Sequence, residues 1–155
     1  MSEYMKQIRA RIGSDLLLTP AAAVAVFDHA DRLLLAHHVD TGLWATVGGA
    51  MDPDESPAEA ALRELAEETT LEAEIVGLVD VYGGPKFRVR YPNGDEASYV
   101  AAIYAARLVG GEPRLQLDEI DQIGWFTRAE AEALPKRGDM ELIVPDCFAW
   151  WADRR

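Results

Sequence analysis

The sequence predicts an α+β chain on three observations: apolar runs of strand length, two Ser/Thr-x-x-Glu helix starts, and an Asn-Gly turn among strand-like segments. Near the N-terminus, Tyr4, Ile8 and Ile12 fall four apart among Lys6, Arg9 and Arg11. Within residues 1–14 this spacing predicts a short amphipathic helix ended by Gly13. Residues 21–27 and 32–37 are apolar runs around Asp28-His29-Ala30-Asp31, a hairpin with a polar loop. Thr46 to Glu55 is turn-rich, and Gly48-Gly49 gives it access to unusual backbone angles, so it reads as a loop. Ser56-Pro57-Ala58-Glu59 combines an N-cap, a first-turn proline and a capping box, which starts a helix running from 57 to about 69. Residues 74–82 and 98–108, rich in Val, Ile, Tyr and Ala, read as strands, with a hairpin turn at Tyr91-Pro92-Asn93-Gly94-Asp95 between them. A short strand at 121–126 follows, then a second capping box, Thr127-Arg128-Ala129-Glu130, whose helix stops at Leu134-Pro135. A final helix carries Val144, Cys147, Phe148 and Trp151 on its apolar face.

A chain of 155 residues that is 49% hydrophobic can bury a core without disulfides, and residues 1–155 are expected to form one domain. One cysteine and three histidines are too few for a structural zinc site, and the lone Cys147 fits a reducing, cytoplasmic setting. No apolar run reaches membrane-spanning length, so no membrane partner is expected. The net charge of −12 argues against a nucleic-acid polymer as partner and would repel a phosphorylated small molecule as well. Such a substrate would need divalent cations to invert the local field.

The helix beginning at Pro57 supplies donors for such cations. At about 100° per residue, Ala58, Ala61, Leu62, Leu65 and Thr69 form one stripe, and Glu64, Glu67 and Glu68 form another beside it. Like charges three and four apart oppose one another by roughly 0.2 to 0.5 kcal/mol per pair, a liability that a hard cation removes. An arbitrary helix with the series Glu59, Arg63, Glu67 would simply have a solvated face. Here the surroundings count for more. Gly49, five residues, Glu55, seven residues, then Arg63-Glu64-Leu65-Ala66-Glu67-Glu68 and Leu71 resembles the Nudix box. Two positions depart from it: Thr70 stands where the box has glycine, and Val47 where the family often has proline. A left-handed C-cap at β-branched Thr70 would cost roughly 1 to 2 kcal/mol, so a differently shaped turn is expected there.

The resemblance implies a three-layer α/β/α sandwich with a mixed β-sheet and a diphosphate-cleaving hydrolase dependent on Mg²⁺, with Mn²⁺ a possible substitute. By position, the Gly49 carbonyl and the Glu67 and Glu68 carboxylates would bind metal, with Glu64 at the metal orienting or deprotonating water. Arg63 would pair with Glu55 or another box carboxylate. Glu119, six residues before Trp125, would be the further loop acid, with Asp118 as the alternative. The substrate implied is a small nucleotide-like diphosphate, such as a nucleoside triphosphate, ADP-ribose or a related nucleotide sugar. The competing reading is a silent nucleotide sensor, which would have no need of Glu64.

Outside the box, Trp44 is the foremost candidate for stacking on a base, ahead of Tyr82, Phe87 and Tyr91. Lys86, Arg88 and Arg90 alternate with apolar residues and read as three cations on one strand face, where they could draw in phosphates or merely guard an edge. The tandem His37-His38 is assigned no catalytic part, because adjacent strand residues point to opposite faces. Cys147 reads as core, not as a nucleophile. The apolar stripe of the N-terminal helix is a surface on which a homodimer could form.

Overall fold

The structure, a computed structural model, describes residues 1–154. In chain order the elements are α1 (Glu3–Ile12), β1 (Leu17–Phe27), β2 (Leu33–His38), β3 (Leu43–Ala45), β4 (Val47–Ala50), α2 (Pro57–Thr69) and β5 (Glu72–Tyr82). A single 3₁₀ turn (Pro85–Phe87) then leads to β6 (Arg88–Arg90), β7 (Glu96–Gly110), β8 (Ile120–Phe126), α3 (Arg128–Ala133) and α4 (Met140–Arg154). The strands form one sheet in the order β3-β2-β1-β7-β5, with β4 joined to β1, β6 to β7 and β8 to β2. β1 runs parallel to β7 and the other pairings are antiparallel, so the sheet is mixed.

Helices cover both faces, as the sandwich requires. On one side Ala60, Ala61 and Leu65 of α2 pack against Ala22, Val24, Val26 and Val47. On the other, Ile143, Val144, Cys147 and Trp151 of α4 meet Phe27, Leu33 and Leu35, and Phe27 stacks on Trp151 with ring centroids 4.4 Å apart. Each layer follows from its sequence pattern: period 3.6 on the helices, and runs buried on both faces for the central strands. Both capping boxes are formed, Ser56 with Glu59 and Thr127 with Glu130. No helix among the described residues is long and apolar enough to cross a membrane.

β1 meets β2 at a single register pair, Phe27↔Leu33, and from Val24 back to Ala21 its free edge is taken by β4. The sheet therefore forks, and the fork opens a cleft of about 950 Å³. Gly48 and Gly49 lie in the fork, where the expectation of a loop with unusual angles needs correction. They belong to β4, paired with Ala23 and Ala22, and neither has a positive φ. Their requirement is space: a Cβ on Gly48 would lie 2.4 Å from the Ala23 Cβ. Because backbone atoms of Ala22 and Ala23 also stand 2.5 and 2.6 Å away, Gly48→Ala is expected to destabilise the fold by about 1–3 kcal/mol, read from urea unfolding.

Two smaller expectations also change. Lys86 sits in the 3₁₀ turn, so only Arg88 and Arg90 share a strand. On α1 the inward residues are Met5, Ile8 and Ile12, whereas Tyr4 is exposed.

The turn at Thr70 keeps the left-handed shape, at φ 60° and ψ 8°, and its N–H reaches the Ala66 carbonyl. The side chain offsets the strain. Its hydroxyl donates to the Glu112 carbonyl and accepts from the Arg114 N–H at 3.0 Å, tying the segment after β7 to the end of α2. Thr70→Ala, which keeps the strain and loses both bonds, is expected to cost about 1–2 kcal/mol. Thr70→Gly removes the strain as well and should stay within about 1 kcal/mol of the parent. Equal losses for the two variants in urea unfolding would show that the left-handed turn costs nothing at Thr70, and an unchanged stability in Thr70→Ala would show that the hydroxyl bonds contribute nothing.

Candidate active site

The cleft is built where the α2 carboxylates approach β4. Along α2, exposure falls from Glu67 at 55% to Glu64 at 15%, while Glu68 is buried at 5%. The acidic stripe therefore runs from solvent into the core, and Glu68 belongs to the packed side together with Ala60, Ala61, Leu65 and Thr69. Gly49 faces this stripe so closely that a Cβ there would stand 2.7 Å from Glu64 Oε1.

Arg63 organises the acids. It donates Nε to Glu55 Oε2 at 2.9 Å and Nη2 to Glu55 Oε1 at 2.7 Å, a two-pronged grip that holds the Glu55 carboxyl below the usual carboxylate range. Its Nη1 reaches Glu64 Oε1 at 3.0 Å and Glu67 Oε2 at 3.2 Å, and Nη2 reaches the Ala50 carbonyl at 3.3 Å. Glu55 also accepts the Asp52 N–H at 2.7 Å, which closes the turn between β4 and α2.

Glu119 comes from the segment between β7 and β8. The Arg114 N–H bonds the Thr69 carbonyl and the Gln116 N–H bonds the Glu68 carbonyl, each at 2.9 Å, so the segment is laced to the end of α2. This lacing brings Glu119 to the cleft beside Glu64, Glu67 and Glu68, whereas Asp118 does not line it.

Burial first, and the charge of Glu64 second, push the Glu68 carboxyl far above the ordinary range. Three buried side-chain polar atoms lack a partner among the described residues: Glu68 Oε2, Asp52 Oδ1 and His38 Nε2. All three belong to residues lining the cleft. Buried polar atoms are rarely left unpaired, so their concentration here marks a place prepared for a ligand. No group of three or more His, Cys, Asp and Glu side chains among the described residues is gathered as a ready metal cage. The donors at this end are nonetheless all oxygens, and their crowding favours a hard divalent cation.

The raised carboxyl has a measurable sign. Folded Glu68 keeps a proton at pH values where the unfolded group, at 4.5, has lost it, so stability falls as pH rises above that value. Between about pH 5 and about pH 8 the metal-free protein should lose Tm more steeply than Glu68→Gln, and added Mg²⁺ should restore the loss in the parent alone. Parallel Tm profiles for the two proteins would contradict this account.

The expected substrate residues are divided. Tyr91 lines the cleft, its hydroxyl paired with that of Tyr99. Trp44 does not, since it packs edge-on against Phe126 at 5.3 Å and beside the core of the α4 face. Arg88 turns away and pairs with Glu96 at 3.1 Å, because alternation along β6 sends Val89 inward and Arg88 and Arg90 outward, while Phe87 and Tyr91 line the cleft from either end of the strand. Tyr82 donates its hydroxyl to Asp146 at 2.8 Å and supports Phe87 from behind. His38 and Asp52 were not anticipated. Alternation along β2 puts His37, bound to Asp121 at 2.6 Å, and His38 on opposite faces, but does not by itself say which face holds the cleft. Burial pushes the Cys147 thiol up, consistent with core.

Comparison with known proteins adds the family. The model of the NUDIX domain matches residues 17–147. A Bacillus subtilis relative, assigned provisionally as an 8-oxo-dGTP diphosphatase, is 40% identical over 72 residues, which make up 46% of this chain and 48% of that protein. The chain thus spans about half the length of that relative. The ADP-ribose pyrophosphatase of Methanocaldococcus jannaschii is 29% identical over 87% of this chain and 77% of its own. Among solved structures, a MutT NUDIX hydrolase from Burkholderia pseudomallei aligns at TM-score 0.69 and 25% identity, covering 84% of this chain and 98% of that one. With the family model matching most of the chain, and Gly49, Arg63, Glu64, Glu67 and Glu68 of the box lining one cleft, the chain belongs to the Nudix family.

Proposed function

We propose that this Nudix protein is a pyrophosphohydrolase that cleaves the diphosphate linkage of a nucleoside diphosphate joined to another group, by attack of water at phosphorus. The observation that carries the reading is Glu68, buried with an unpartnered oxygen beside Glu64 in the cleft at Gly49. Nudix hydrolases generally use divalent metal ions, and this all-oxygen set fits them. The Gly49 carbonyl with Glu67 and Glu68 would hold Mg²⁺, with Mn²⁺ able to replace it. When bound, the cation supplies neutralisation of the diphosphate charge and acidifies water. Glu64, fixed by Arg63, accepts the proton of the attacking water, while Glu119 adds a carboxylate beside it from the segment before β8. A new P–O bond forms to water and the bridging P–O bond breaks, giving two phosphate-ended products.

The names of the relatives make ADP-ribose the first substrate to test and a nucleoside triphosphate the second. A Mg²⁺-supplemented panel followed by phosphorus NMR should show ADP-ribose consumed and two monophosphates appearing. Tight, metal-dependent binding with no turnover of any member would instead establish a sensor.

A further inference from the structure

Besides the α2 carboxylates, the cleft is lined by polar residues from outside the box. His38 ends β2 and is 9% exposed, lining the cleft with its Nε2 unpartnered. A hydrogen bond with the Thr46 backbone engages the ring, and burial together with the Arg137 charge holds the pKa below its ordinary value. The imidazole is therefore neutral at physiological pH, and an unprotonated Nε2 presents a lone pair. Arg137, also on the cleft, gives Nε and Nη2 to Asp139 at 3.3 and 2.9 Å, which leaves Nη1 uncommitted among the described residues.

The same cleft has small residues along its strands. Ala21, Ala23, Gly48 and Ala101 line it where larger strand residues would fill the space, and Phe87, stacked on Tyr82, stands among the apolar walls. Small strand residues below and an aromatic wall suit a planar or saturated ring, not a phosphate.

Resting on the proposed hydrolase reading, we infer that His38 is a specificity-determining residue: its Nε2 accepts a hydrogen bond from an N–H or O–H of the ring beyond the diphosphate. Arg137 Nη1 donates to an acceptor on the same ring. The shared chemistry is a ring with a donor beside an acceptor, which a nucleobase or a distal sugar can supply.

The test measures binding on the Glu64→Gln background, with Mg²⁺, by calorimetry. ADP-ribose, ADP and purine riboside diphosphate, which lacks the exocyclic amine, serve as ligands. His38→Phe should weaken ADP-ribose binding by about 10- to 100-fold, and His38→Gln, which keeps an acceptor, should recover most of it. In the otherwise unaltered enzyme His38→Phe should raise KM and leave kcat at saturation within about threefold. With only three histidines in the chain, nitrogen NMR can follow the His38 Nε2 resonance, which should move on adding ADP-ribose. A penalty equal for ADP and ADP-ribose but absent with purine riboside diphosphate assigns the donor to the base, and a penalty confined to ADP-ribose assigns it to the distal sugar. Binding that is indifferent to His38→Phe, with a stationary Nε2 resonance, overturns the inference and leaves the hydrolase reading intact. Absence of any nucleotide binding by the folded parent overturns both.

Discussion

Glu64→Gln is expected to lower kcat on the best substrate by about 10²- to 10⁴-fold while leaving the fold and substrate binding nearly unchanged. Gln is close to isosteric with Glu and can still accept one hydrogen bond from Arg63, now at 3.0 Å from Oε1. It cannot take a proton from water. The size of the effect distinguishes two roles, because a residue that only supported the metal would show its loss mainly as weaker cation affinity, recoverable at high Mg²⁺. The measurement is kcat across a Mg²⁺ titration, and recovery to within threefold of the parent at saturating Mg²⁺ would remove Glu64 from the proton-accepting role. Gly49→Ala provides a geometric control. The added Cβ would meet Glu64 Oε1 at 2.7 Å, a flexible side-chain end that can move aside, so activity should fall with little loss of stability.

Arg63→Ala is expected to lower stability by about 2 kcal/mol and kcat/KM by at least about 100-fold. Without the guanidinium, Glu55, Glu64 and Glu67 lose their common cation, and the turn that sets the distance between β4 and α2 loses its clasp. Arg63 is 26% exposed, so solvent screens part of the repulsion, and the stability loss is placed below that of a fully buried pair. Lysine should not rescue it, since a single ammonium cannot reproduce the fork that grips both Glu55 oxygens. The check is urea unfolding with parallel kinetics. Activity in Arg63→Lys matching the parent would show that charge alone suffices and that the fork is dispensable.

The legible part of this protein was the part governed by short-range rules. Helix starts, the Asn-Gly turn and the carboxylate spacing are set by hydrogen bonds and periodicities spanning only a few residues. Pro57–Thr69 with its capping box accordingly formed as expected. The aromatics and cations were less legible. Trp44 ranks ahead of Tyr91 in sequence, but Trp44 packs on Phe126 and Tyr91 lines the cleft, and only the path of the strands decides which. Arg88 has the same difficulty, since alternation gives two faces without saying which is the inner one.

By itself the sequence determined the box helix, the identity of its acids and the family they point to, because these are properties of residue order along a single segment. Tertiary structure alone decided that Glu68 is the buried acid and Glu67 the exposed one, that Gly48 and Gly49 are demanded by the closeness of β1 and α2, and that His38 faces the cleft. The reason is physical: burial and close approach arise where strands distant in sequence pair, here at the fork of β1 with β2 and β4, and no local pattern encodes that distance.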